Sequence, residues 1–112
     1  MVTGQPVTVL RSNSGDPVQI PLPFCVYVLL SEKDGDFYVG MTEDLPRRLD
    51  EHFNGRSAAT APRRPFTLIH CEFYRTRSDT ERREQYLKTA KSRRTLKLML
   101  QDYFAQMPTV DA

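Results

Sequence analysis

The sequence predicts an α+β fold, a small three-stranded antiparallel sheet flanked by helices. Three observations carry that reading. FCVYVLL (24–30) and DFYVGM (36–41) are aromatic and β-branched runs separated by an Asp34-Gly35 turn signal, which makes an antiparallel hairpin. Leu45, Leu49 and Phe53 then recur at helical spacing. A further strand-like run, FTLIHCEFY (66–74), precedes two more helical segments, so the order is hairpin, helix, strand, helix, helix.

Residues 1–23 hold Gly4, Pro6, Gly15, Pro17, Pro21 and Pro23 among polar residues, the composition of an extended or disordered arm. The domain proper is expected over 24–107, with 108–112 as a tail. FCVYVLL has no polar alternation and reads as a strand buried on both faces. Pro46 fits only the first turn of the first helix, with Thr42 or Asp44 as N-cap, and Asn54-Gly55 ends that helix. RSAATAPRRP (56–65) is a loop that is basic at both ends. Ser78-Asp79-Thr80-Glu81 is a capping box that starts a second helix at about Ser78. Ser92 is expected to cap a third, with an apolar stripe of Leu96, Met99, Leu100, Tyr103 and Met107 and a stop at Pro108.

With 112 residues and 39% hydrophobic content, the chain can build one modest core. Its net charge of +2 conceals a segregation. Residues 1–43 carry −3, whereas residues 44–97 hold fourteen Lys or Arg against seven Asp or Glu. A basic middle of this kind is the footprint of a protein that handles a polyanion, although a charge run is often only a solvated surface. Cys25 and Cys71 have no metal-type spacing and read as small buried hydrophobes in a reducing compartment. No stretch is apolar enough for a membrane span and no signal-peptide layout opens the chain, so a cytoplasmic protein without membrane contact is expected.

The first helix poses the sharper question. Its inward stripe is Leu45, Arg48, Leu49, His52 and Phe53, and a cation and an imidazole belong there only if something beneath requires them. Arg48 could hold a phosphate through its fork of donors, and His52 could move a proton. Taken singly, Arg48 also suits a snorkelling stem and His52 a satisfied buried histidine. Tyr27 and Tyr38 fall near each other across the hairpin, where tyrosines often only cap a core. Gly40 would permit a close approach at the end of the second strand. In the second helix Glu84 and Lys88 lie on one side, either as a common i,i+4 surface pair or with Glu84 as a lone carboxylate among cations that could bind a hard divalent ion. Together, two phenols, an arginine, a histidine, a carboxylate and a lysine suffice for metal-assisted phosphodiester hydrolysis.

The residues that make this kit, VYV (26–28), YVG (38–40), Arg48, His52 and Glu84, resemble the GIY-YIG nuclease superfamily, most of all its small stand-alone members. Val26-Tyr27-Val28 departs from the Gly-Ile-Tyr form but keeps a tyrosine, while Tyr38-Val39-Gly40 is a near match. The resemblance implies a metal-dependent DNA endonuclease with one divalent ion, Mg²⁺ or Mn²⁺, and no small-molecule cofactor. It implies Glu84 as the metal ligand and Arg48 as the essential arginine, with Arg47 its solvent-side neighbour on DNA. It implies Tyr27 as general base, Tyr38 as the residue orienting water or phosphate, His52 as an alternative base, Lys88 as a DNA contact and Gly40 as structural. The asparagine some members carry after the glutamate helix has no clear counterpart. A catalytically inactive nucleic-acid-binding module of the same fold is the main rival, a protein-interaction domain the other. The reading leaves room for a protein partner or a homodimer. Structure-selective cutting of single-stranded, flap or branched DNA is expected over sequence specificity.

Overall fold

A computed structural model describes residues 8–11, 17–20 and 22–107. The expected tail, 108–112, and the stop at Pro108 lie outside the described residues. Within the expected arm, β1 (Thr8–Arg11) and β2 (Pro17–Ile20) pair antiparallel as a two-stranded sheet of their own.

The main sheet has three antiparallel strands in the order β4-β3-β5, with β3 at Phe24–Ser31, β4 at Phe37–Thr42 and β5 at Phe66–Tyr74. β3 is central, and all its residues after Phe24 are buried, as its unbroken apolar run requires. β4 begins one residue later than expected, because Asp36 serves the turn: its carboxylate accepts from the Phe37 amide. Gly35, at φ +73°, closes that turn.

Alternation along β3 divides the core in two. Cys25, Tyr27 and Leu29 face one side, where α1 (Leu45–Phe53) packs Leu45 and Leu49 against them. Val26 and Val28 face the other, covered by Leu87 of α2 (Arg77–Leu87) and Leu96 of α3 (Ala90–Met99). The sheet is thus sandwiched between α1 and the α2–α3 pair.

Asp44 caps α1 and accepts from the Arg47 amide at 3.2 Å; Thr42 supports it by accepting from the Asp44 amide at 2.9 Å. Asn54 and the positive-φ Gly55 end the helix. Phe53 departs from the expected stripe and is 44% exposed.

Two expected caps move upstream by three residues or fewer. α2 is capped by Thr76 rather than Ser78, because Thr76 still has extended backbone where the chain leaves β5, and its hydroxyl accepts from the Asp79 amide. α3 is capped by Thr89 rather than Ser92, which sits buried inside the helix and donates to the Thr89 carbonyl. The expected long third helix breaks at Leu100 into α3 and α4 (Gln101–Gln106). The break turns Met99 and Met107 outward, while Phe104 stacks on Phe37. Cys25 is buried, but Cys71, on edge strand β5, is only half-buried; both are free thiols.

Candidate active site

Strand register sets the tyrosines. Tyr27 stands opposite Gly40 and Leu29 opposite Tyr38, so both phenols lie on the α1 face as diagonal neighbours, ring centroids 6.5 Å apart. The Tyr27 ring crosses directly over Gly40: a Cβ there would come 2.6 Å from Tyr27 Cζ. Only glycine leaves that space.

α1 brings its histidine to the same place. His52 is fully buried, its ring 5.6 Å from Tyr27 and 5.1 Å from Tyr38. His52 Nε2 lies 2.7 Å from Tyr27 Oη, and on its other side Nδ1 lies 2.7 Å from Thr60 Oγ1. Burial, aided by the nearby Arg48 charge, pushes His52 below its ordinary 6.5, so the ring is neutral at pH 7. Burial also pushes the Tyr27 phenol up to about 12, against the pull of Arg48 beside it.

Arg48 lies one turn earlier on α1. Its guanidinium donates to Glu51 Oε1 at 2.8 Å and lines a 290 Å³ cleft with Thr42, Asp44 and Arg47. Arg47 points outward, 77% exposed, and reaches Glu51 at 3.6 Å. Arg47 is thus the more exposed and Arg48 the more buried of the two arginines on this cleft.

Glu84 comes from the opposite side of the sheet, from α2. It lines a second cleft, 270 Å³, together with Tyr38, Val39, Leu87, Lys88 and Arg93 along the β4 edge. Its side chain is 16% exposed and is paired with Lys88 at 3.4 Å. Among the described residues, no group of three or more His, Cys, Asp or Glu is arranged to hold a metal. Any ion held by Glu84 would rest on one carboxylate and its own waters, which suits a hard divalent cation that dehydrates reluctantly.

The geometry thus gathers Tyr27, Tyr38, Arg48 and His52 on one face, with Glu84 sharing a cleft with Tyr38 at the strand edge. Arg47 and Lys88 flank them from the two clefts. Thr60 and Glu51, which touch His52 and Arg48, were not singled out from the sequence. Glu51 is three residues from Arg48 and could have been read as its helical partner; Thr60 lies in an irregular loop, with no pattern to mark it.

The family model described as the GIY-YIG catalytic domain matches residues 23–97. The chain belongs to the GIY-YIG family. It is 38% identical to a UPF0213 protein of Staphylococcus saprophyticus over 68 residues, 60% of this chain and 83% of that protein. It is 42% identical to a UPF0213 protein of Enterococcus faecalis, covering 56% of this chain and 88% of that one. A UPF0213 protein of Staphylococcus aureus is 36% identical over 59% of this chain and 82% of its own length. No solved structure matches the chain. In this GIY-YIG domain Tyr27 and the run Tyr38-Val39-Gly40 sit on adjacent strands, with Tyr27 opposite Gly40.

Proposed function

We propose that the protein is a metal-dependent DNA endonuclease that hydrolyses phosphodiester bonds. The observation that carries this reading is the Tyr27–His52 hydrogen bond at 2.7 Å, made by a neutral buried imidazole beside Arg48. A phenol pushed up to about 12 is a poor base alone. Hydrogen-bonded to a neutral imidazole, it can pass its own proton inward while taking one from water.

The step balances as follows. Water gives a proton to Tyr27 Oη as Tyr27 gives its own to His52 Nε2. The hydroxide forms a bond to phosphorus, the P–O bond to the leaving oxygen breaks, and that oxygen takes a proton from solvent. Arg48 neutralises charge building on the phosphate. Tyr27 is 1% exposed, so the substrate must open the site. Arg48, bonded to Glu51 on the rim of its cleft, is the group a phosphate would engage first by displacing Glu51. Tyr38, partly exposed on the Glu84 cleft, orients the water or the phosphate.

A single Mg²⁺ or Mn²⁺ fits Glu84, a partly buried carboxylate on an open cleft, and when bound supplies stabilisation of the leaving oxygen. Arg47 and Lys88 hold the DNA backbone on either side. Among the described residues the α-helices run from 6 to 11 residues, and this small reach into a major groove supports single-stranded, flap or branched DNA as the preferred substrates.

The test compares wild type and Glu84→Ala on labelled single-stranded, duplex and flap DNA with Mg²⁺ or Mn²⁺. Cutting by the wild type alone, with DNA binding retained by the variant, is expected. No cutting by either, with binding intact, would leave a nucleic-acid-binding module and remove the nuclease reading. A fixed multi-base recognition site would overturn the structure preference.

A further inference from the structure

Thr60 is fully buried in the loop after α1. Its hydroxyl lies 2.7 Å from His52 Nδ1, and 3.5 Å away is the Ser57 carbonyl oxygen, which already accepts from the Thr60 and Ala61 amides at 3.1 and 2.9 Å. Two tautomers of His52 fit the distances, and the hydrogens decide between them. With the proton on Nδ1, both 2.7 Å contacts are made with a donor and an acceptor: Nδ1–H to Thr60 Oγ1, and Tyr27 O–H to Nε2, with the Thr60 O–H left turned toward the more distant Ser57 carbonyl. With the proton on Nε2, His52 donates to Tyr27 and Thr60 to Nδ1. The Tyr27 hydroxyl hydrogen, buried, is then left without this acceptor, and a buried donor without a partner is disfavoured.

We propose that Thr60 is a positioning residue that holds His52 in the Nδ1–H tautomer, keeping the Nε2 lone pair aimed at the Tyr27 hydroxyl. A histidine's tautomer is set by the partner of its other nitrogen, and here that partner is a threonine anchored by its own loop. The anchorage is itself built. Ser31 Oγ donates to the Arg63 carbonyl at 2.7 Å, Lys33 Nζ to the Pro62 carbonyl at 2.8 Å, and Arg63 pairs with Asp34 at 2.7 Å. The β3–β4 turn thus clamps the loop that carries Thr60. When Tyr27 hands its proton to Nε2, the imidazolium keeps Nδ1–H on Thr60, so no group needs to reorient. This role rests on the nuclease reading for its use in catalysis, but the tautomer does not.

The experiment reads both separately. Long-range ¹H–¹⁵N correlation spectra of ¹⁵N-labelled wild type, with His70 as the second and internally comparable ring, should show His52 protonated at Nδ1 and bare at Nε2. Thr60→Ser, which keeps the hydroxyl, should preserve that pattern; Thr60→Val, which keeps the shape, should shift it toward Nε2–H. A wild-type ring protonated at Nε2, or an unchanged tautomer in Thr60→Val, overturns the proposal, and the wild-type spectrum requires no variant to fold. In the cleavage assay Thr60→Val should be slower by about 10- to 100-fold with DNA affinity unchanged, and Thr60→Ser should recover most of the rate. A shifted tautomer with an unaltered rate overturns the catalytic use of the tautomer. Wild-type protein that shows the Nδ1–H pattern but cuts no DNA sinks the nuclease reading instead.

Discussion

Gly40 and Tyr27 show most plainly how one residue sets another. From the sequence, Gly40 marked a place where something could come close; that the visitor is the Tyr27 ring follows from the register Tyr27↔Gly40. Gly40→Ala puts a methyl group into the phenol, and because Tyr27 is walled by Cys25 and Leu29 of its own strand and by α1, the ring has little room to yield. A loss of about 1–3 kcal/mol is expected, as for other overpacked cores, measured by denaturant unfolding. The same variant should lose cleavage, since a displaced ring leaves His52 Nε2. Unaltered stability would show that the ring moves aside freely. Thr60 stayed hidden for the opposite reason. A small polar residue in a loop carries no periodic signal, and its contact with His52 arises only where the loop folds back.

Between elements, β5 and α2 are joined by a charged network on the face away from the tyrosines. Glu72 receives Arg83 at 2.8 and 3.0 Å and His70 at 2.7 Å, and Tyr74 also donates to it. Burial pushes the Glu72 carboxyl up, but Arg83, Tyr74 and His70 outweigh it and hold it at about 2 instead of 4.5. A folded value below the unfolded one means a contribution present above pH 4.5 and lost as pH falls toward 2. Its size is about 3 kcal/mol. Arg83→Met should therefore destabilise the protein near neutrality and flatten the acid limb of its stability curve below pH 4.5; an acid limb as steep as wild type would place that pH dependence elsewhere. Helix starts were the least legible feature at this scale. Thr76 and Ser78, or Thr89 and Ser92, are near-equal caps by type, and the choice fell to where β5 releases the chain and where α2 turns into α3.

Across the whole molecule, only part of the basic charge read from the sequence lies at the two clefts, where Arg47 and Arg48 stand among Glu43, Asp44 and Glu51, and Lys88 and Arg93 beside Glu84. Arg47 borders one and Lys88 the other, with Tyr38 between α1 and the Glu84 side. If both hold DNA backbone, Arg47→Ala and Lys88→Ala should each weaken binding to all sequences alike and lower the salt slope by about 1. A slope unchanged in either variant would take that residue off the DNA path. The α+β class, the hairpin, the first helix with Thr42 or Asp44 as its cap, and the candidate site residues Tyr27, Tyr38, Arg48, His52 and Glu84 were all named from the chain alone. Such features are written locally, as alternation, helical spacing and turn chemistry, or as side chains whose burial would be costly without a purpose. Only the tertiary structure decided that Tyr27 crosses Gly40, that Thr60 meets His52, and that the last helix breaks at Leu100 so that Phe104 stacks on Phe37. Each of these depends on register or on packing between segments distant in sequence or direction, and no local pattern encodes that.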